Sequence, residues 1–136
     1  MSEPEKNNRR QFGPMTFAQA LSYRLPLAAK VSILHRGSGA LMFLLLPFVL
    51  YLLDQSLTSE ISFDYLRGFA SHWFVKVLIL ALSWAYLHHF CAGIRHLFMD
   101  FHVGVNKEAG RKSAATVLAI SLPLTLLVAL KLFGVF

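Results

Sequence analysis

Three of the six histidines, His88, His89 and His96, lie in or beside one long apolar run of the chain. If that run is a helix, His89 and His96 share a face, because they are two turns apart. His88 points about 100° away from His89 and is expected to pack at an interface or within a bundle. His89 lies about 9 Å inward from Arg95 along such a helix. An imidazole at that depth needs a partner, because an unsatisfied polar group in hydrocarbon costs several kcal/mol.

Two kinds of partner suit the imidazole of His89. A neutral imidazole is a common metal ligand, and inside a helical bundle the commonest such metal is haem iron. The alternative is a purely structural histidine that donates a hydrogen bond to a backbone carbonyl of an adjacent helix. Ionisable residues within membrane spans are functional by default but need not bind a cofactor. The residues by themselves leave both interpretations open.

A second group of polar side chains begins at Ser32. Arg36 follows four residues later on the same helix face, with His35 beside it. A hydroxyl and a guanidinium that converge can bind a carbonyl oxygen, or the anion formed when that carbonyl gains an electron. Arg36 can also pair with a carboxylate such as a haem propionate. Gly37 and Gly39 leave room for a flat ligand or a close helix. Alternatively, Arg36 is only a flanking charge and Ser32 a helix cap.

The elements that position these side chains follow from the composition. Hydrophobic residues form 56% of the chain and charged residues only 15%, which excludes an ordinary cytosolic domain. Three runs without Lys, Arg, Asp or Glu are each 17 or 18 residues long, close to the ~20 that cross a bilayer as a helix. We expect an all-α integral membrane bundle at 30–136, preceded by a tail and interfacial segment at 1–29. The expected spans are 30–55, 71–101 and 109–136.

The distribution of charge predicts the orientation of the three spans. Lys and Arg cluster before the first span and after the second, whereas Asp and Glu dominate the loop between them. The positive-inside rule then places the N-terminus in the cytoplasm and the C-terminus on the exported side. We attribute the net charge of +6 to basic residues that set the orientation of the spans in the membrane, and not to a nucleic-acid-binding site. Glu3 and Glu5 argue against a mitochondrial presequence, so we expect a multi-pass protein of a bacterial inner membrane, or a mature chain.

Both polar groups fall within motifs of a known family. The run SILHRGSG at 32–39 resembles the S-x-x-H-R-x-S/T-G motif of the cytochrome b large anchor subunit of succinate dehydrogenase, respiratory complex II. The run HFCAGIRHLFMD at 89–100 resembles the H-x-x-x-G-x-R-H-x-x-x-D motif of the same family. The two motifs occur in order on the first and second of three spans. The likeness covers about 24–101 by motif and the rest by topology.

The resemblance implies a role for each matching residue. His89 corresponds to an axial ligand of haem b, and the second ligand would come from a small membrane-anchor subunit. Ser32 and Arg36 correspond to ubiquinone-site residues, and His35 and Arg36 to residues near the haem propionates. Arg95, His96 and Asp100 are expected to stabilise the end of the second helix or a propionate.

The same resemblance implies an iron–sulfur subunit and a flavoprotein subunit as partners. This chain has no dinucleotide fingerprint and no cluster-binding cysteines, so no catalytic residue of succinate oxidation is expected in it. Its expected task is to pass electrons from the iron–sulfur subunit to quinone. The alternatives are the anchor of a fumarate reductase working on menaquinone, a structural anchor without redox function, and a small transporter or proton channel. A channel is disfavoured because the first and third spans carry few ionisable residues.

Overall fold

The computed structural model describes residues 13 and 16–135, and within these residues it contains five α-helices and no strand. The helices are α1 (Phe17–Ser22), α2 (Leu27–Thr58), α3 (Glu60–Ala70), α4 (Trp73–Asp100) and α5 (Lys107–Leu132).

Helices α2, α4 and α5 are long and apolar enough to cross a membrane, which confirms the predicted three-span helical fold. The shortest of them, α5, has 26 residues and is about 39 Å long, more than the ~30 Å of a hydrocarbon core. Pro47 lies within α2 and Pro123 within α5, without ending either helix. Helix α5 ends at Leu132 rather than at the last residue, because Gly134 adopts a φ of 76° that a helix cannot continue.

The segment between the first two spans is itself helical, which the sequence analysis did not predict. Ser59 caps α3 by accepting a hydrogen bond from the backbone N–H of Ser62. Glu60 in the first turn and Arg67 in the last turn both complement the helix dipole. In the expected interfacial segment, Thr16 caps the short α1, while Phe12 and Pro14 lie outside the described residues.

The centre of the bundle is built from small side chains. Val31 on α2, Ala92 on α4, and Ala114 and Val117 on α5 are buried together. Small residues let membrane helices approach closely, where the driving force is packing rather than exclusion of water. Many large apolar side chains point outward instead, including Phe43 at 74% exposed. An apolar exterior over the three long helices is what a lipid-facing surface requires.

A tight turn joins α4 to α5 and places the polar ends of these helices side by side. His102 and Gly104 adopt positive φ values of 61° and 72°, and glycine tolerates this conformation without strain. Asn106 then caps α5 by accepting from the backbone N–H of Ala109 at 2.7 Å. As a result, Ser113 of α5 lies against Arg95 of α4, where the Arg95 Nε donates to the Ser113 hydroxyl at 2.9 Å.

Candidate functional site

Helices α2 and α4 bring three imidazoles together into what we term the histidine stack, formed by His35, His89 and His96. The rings of His35 and His89 are nearly parallel, with centroids 4.2 Å apart and an interplanar angle of 15°. The centroid of the His96 ring lies 4.9 Å from that of His35, and the two rings are tilted by 38° to each other. The expectation that His89 and His96 share a face of α4 therefore holds, and His35 of α2 is what they face.

The hydrogen bonds of His89 fix which ring nitrogen carries the proton. Its Nδ1 lies 2.9 Å from the backbone carbonyl oxygen of His35, which can only accept. Nδ1 therefore donates, and the Ser38 hydroxyl oxygen, 3.3 Å away, is positioned as a secondary acceptor. That hydroxyl donates its own proton to the same His35 carbonyl at 3.0 Å. In the neutral imidazole the lone pair then belongs to Nε2.

The ring of His89 lies directly against the backbone of α2 at Gly39. A Cβ added to Gly39 would lie 2.8 Å from the His89 Cε1, closer than packed atoms approach, and 3.3 Å from Nδ1. Gly93 on α4 faces His35 at ordinary van der Waals distance, since a Cβ added to Gly93 would lie 3.5 Å from the His35 Nε2. Gly37, by contrast, faces open space. Of the two glycines expected to leave room, Gly39 is the one that makes a close contact possible.

The two interpretations of His89 turn out to be compatible. Nδ1 makes the structural bond to a backbone carbonyl of the adjacent helix, while no hydrogen bond within residues 16–135 uses Nε2. This is the arrangement by which proteins orient a metal-binding histidine through its other nitrogen. The described part of the chain holds no group of three or more His, Cys, Asp or Glu side chains placed to bind a metal ion. A haem iron differs in needing only one imidazole on each of its faces.

Ser32 and Arg36 lie on α2 next to His35, the member of the histidine stack that this helix contributes. Ser32 is half-buried and Arg36 is exposed, near the start of α2. Neither side chain makes a hydrogen bond or ion pair with any other described residue, so both remain available to a ligand or a partner chain. The structure thus brings His35 and His89 together, and no hydrogen bond found within residues 16–135 joins the side chain of Ser32 or Arg36 to either ring.

The other two histidines of α4, His88 and His96, are buried or half-buried. His88 is 1% exposed and its Nε2 lies 3.4 Å from the carbonyl oxygen of Val31, so it packs within the bundle. The Nε2 of His96 is buried without a partner among the described residues. Sequence reasoning missed Ser38 and Ser113 as partners of His89 and Arg95. Ser38 occupies the S/T position of the first motif, which was the available signal, whereas nothing in the local sequence singles out Ser113.

Comparison with known proteins resolves the family. The family described as succinate dehydrogenase/fumarate reductase transmembrane subunit matches residues 6–128 of this chain. The chain belongs to this family. A succinate dehydrogenase cytochrome b556 subunit from Coxiella burnetii is 39% identical over 101 residues, covering 73% of this chain and 80% of that protein. Subunits of the same name are 33% identical over 105 residues in Rickettsia felis (77% and 82% covered) and 32% over 111 residues in Paracoccus denitrificans (82% and 85%).

Membership in the succinate dehydrogenase cytochrome b membrane subunit family confirms the resemblance based on the two motifs. The match includes all of α1, α2, α3 and α4 and most of α5, so it extends well beyond the motifs. It also agrees with the three apolar helices, because the family is one of transmembrane subunits. The histidine stack and the Ser32–Arg36 face therefore lie in a membrane subunit of a respiratory enzyme family.

Proposed function

We propose that this chain is the large membrane-anchor subunit of succinate dehydrogenase. In this proposal His89 is one axial ligand of haem b, and Ser32 and Arg36 form one side of a ubiquinone site. The small membrane-anchor subunit supplies the second axial ligand. The observation that carries the proposal is the bond from the His89 Nδ1 to the His35 carbonyl, which leaves Nε2 as the free ligand atom.

The surroundings of His89 fit a haem ligand in three respects. The backbone carbonyl selects the tautomer in which Nε2 carries the lone pair, and it orients the ring. Gly39 admits the ring to the α2 backbone, and the stacked ring of His35 restricts its rotation. The orientation of the imidazole is therefore largely fixed before a haem iron binds to it. A bound haem b supplies a one-electron carrier whose potential depends on its axial ligands and their hydrogen bonds.

His35 and Arg36 serve the propionates of the same haem in this proposal. They are adjacent in sequence, and the ring of His35 already contacts that of His89 at 4.2 Å between centroids. Arg36 carries an exposed guanidinium that no described carboxylate neutralises. A guanidinium binds a carboxylate through two parallel hydrogen bonds, which makes it suited to a propionate.

For the quinone, Ser32 and Arg36 supply a hydroxyl donor and a fixed positive charge one helical turn apart. A quinone carbonyl oxygen becomes more negative as it gains electrons, and both groups stabilise that charge. Ser32 is half-buried and Arg36 exposed, so the site lies at the margin of the bundle, where water and a partner subunit can reach it. Proton uptake that accompanies quinone reduction requires such access.

The basic ends of the helices face the cytoplasm in this proposal, in a bacterial inner membrane. The iron–sulfur and flavoprotein subunits dock there, on the side of Arg36. Fumarate reductase is the second candidate, since the matching family includes both enzymes. The names of the similar relatives favour succinate dehydrogenase.

The quinone role is tested by Arg36→Leu in the purified complex. We expect reduction of a short-chain ubiquinone by succinate to fall on the order of a hundredfold, because removal of one donor from an anion-stabilising site has effects of that size. Reduction of an artificial acceptor that takes electrons from the water-soluble subunits should be unchanged. Lys30→Leu is the matched control, since Lys30 is also an exposed cation of α2 and should retain both activities. Unchanged quinone reduction in Arg36→Leu would exclude Arg36 from the site.

A further inference from the structure

Helices α4 and α5 line a half-open apolar groove of about 660 Å³ that has no part in the proposed haem and quinone sites. It runs along the seam between the two helices, from the turn at Gly104 to Leu124, and we call it the α4–α5 groove. Its walls are mainly aromatic and aliphatic, with Phe90 and Phe98 from α4. His89 instead contacts α2, so the groove belongs to a different face of α4.

One charged side chain lines this groove. Arg95 is only 7% exposed, and its Nε donates to the Ser113 hydroxyl at 2.9 Å. No other hydrogen bond of Arg95 and no carboxylate in ion-pair distance of it is found within residues 16–135. Burying a guanidinium without an anion is costly, because its hydration is lost without compensation. The site therefore lacks a counter-charge, and the groove is where one can enter.

The length and the lining of the α4–α5 groove indicate what kind of molecule it would bind. The stretch of α5 that lines it, from Ala109 to Leu124, is about 22 Å long, more than half of a ~30 Å hydrocarbon core. An apolar groove of this length, with one buried cation beside it, suits an extended hydrocarbon chain that carries an anionic headgroup.

We propose that the α4–α5 groove binds an anionic phospholipid, whose acyl chain lies along the seam and whose phosphate pairs with Arg95. Ser113 holds the guanidinium through Nε, so the phosphate meets its terminal nitrogens. This lipid is a structural ligand of the subunit and takes no part in electron transfer.

The test uses the purified complex, delipidated and re-equilibrated with equal amounts of phosphatidylglycerol and phosphatidylcholine. Native mass spectrometry then measures the lipid retained. We expect wild type to retain phosphatidylglycerol preferentially and Arg95→Gln to weaken that retention at least tenfold, the effect of losing a charge-assisted hydrogen bond. Arg111→Gln is the matched control, because Arg111 is exposed and outside the groove, and should behave as wild type.

A second variant keeps the experiment informative if Arg95→Gln assembles poorly. Thr116→Phe fills the groove from an exposed position and leaves Arg95 in place, so it should also lose phosphatidylglycerol. Inorganic phosphate should not displace the lipid, since it cannot occupy the apolar seam. Equal retention of both lipids by wild type, or full retention by Arg95→Gln or Thr116→Phe, would overturn the proposal. Displacement by inorganic phosphate would show a simple anion site and overturn it as well.

Discussion

Replacing Gly39 by alanine perturbs the histidine stack with a single methyl group. The added Cβ would lie 2.8 Å from the His89 Cε1, so about 0.7 Å of movement is needed to reach an ordinary carbon–carbon contact. Overpacking of this kind costs about 1–3 kcal/mol. If the ring retreats, its Nδ1 also moves away from the His35 carbonyl, a bond worth about 1 kcal/mol.

The larger consequence is expected at the haem. Perturbing a group that orients a metal-bound histidine typically weakens metal binding by about 10–100-fold. We therefore expect purified Gly39→Ala complex to contain markedly less haem b per flavin, with a shifted midpoint potential in the haem that remains. Optical haem quantification and a redox titration measure both quantities.

Gly37→Ala provides the matched control two residues away in the same helix. A Cβ at Gly37 meets nothing within 4 Å, so its main effect is the gain in helix propensity, up to about 1 kcal/mol. Haem content and potential should match wild type. If Gly39→Ala also matched wild type in both, the close contact between α2 and His89 would have no role in holding the haem, and our account of this glycine would be wrong.

Two further variants separate the histidine stack from the rest of the bundle. Ser38→Ala removes a hydroxyl 3.3 Å from the His89 Nδ1 but leaves the His35 carbonyl as acceptor. The complex should therefore retain its haem, and a redox titration should give a midpoint potential within about 40 mV of wild type. Ser113→Ala removes the only hydrogen-bond partner found for Arg95 in the described residues and should destabilise the fold by about 1–3 kcal/mol. Thermal unfolding of the complex measures that loss of stability, and the haem spectrum of Ser113→Ala should be unchanged. An equal loss of stability in Ser38→Ala would contradict the distinction between the histidine stack and the Arg95–Ser113 contact.

Much of the fold could be predicted because a membrane limits the choices. Long apolar runs free of charge must become helices, since no other open structure satisfies its backbone in lipid. Helix α3 was missed because its apolar residues are interspersed with Glu60, Asp64 and Arg67, and such a short segment resembles a polar loop. Its cap at Ser59 was visible in the sequence but is a weak signal without a longer periodic run.

The site was predicted in part, for a physical reason that differs between residues. His89 stood out because an imidazole in an apolar run needs a partner, and spacing alone placed His96 on its face. That the partner of Nδ1 is the carbonyl of His35 depends on the register between α2 and α4, which no local pattern encodes. The same register decides that Gly39, and not Gly37, meets the ring. The pairing of Arg95 with Ser113 depends likewise on the turn before α5.

The central claim, that His89 binds haem b through Nε2, is tested most directly by a dithionite-reduced minus oxidised spectrum of the purified complex. Wild type, His89→Gln and His88→Gln should be compared, with the co-purifying subunits identified on a gel. His88 is the matched control, because it is the adjacent histidine of α4 but is buried against Val31. We predict a b-type spectrum in wild type and His88→Gln, and a lost or shifted one in His89→Gln. A wild-type spectrum in His89→Gln, or no haem in the wild-type complex, would contradict the account.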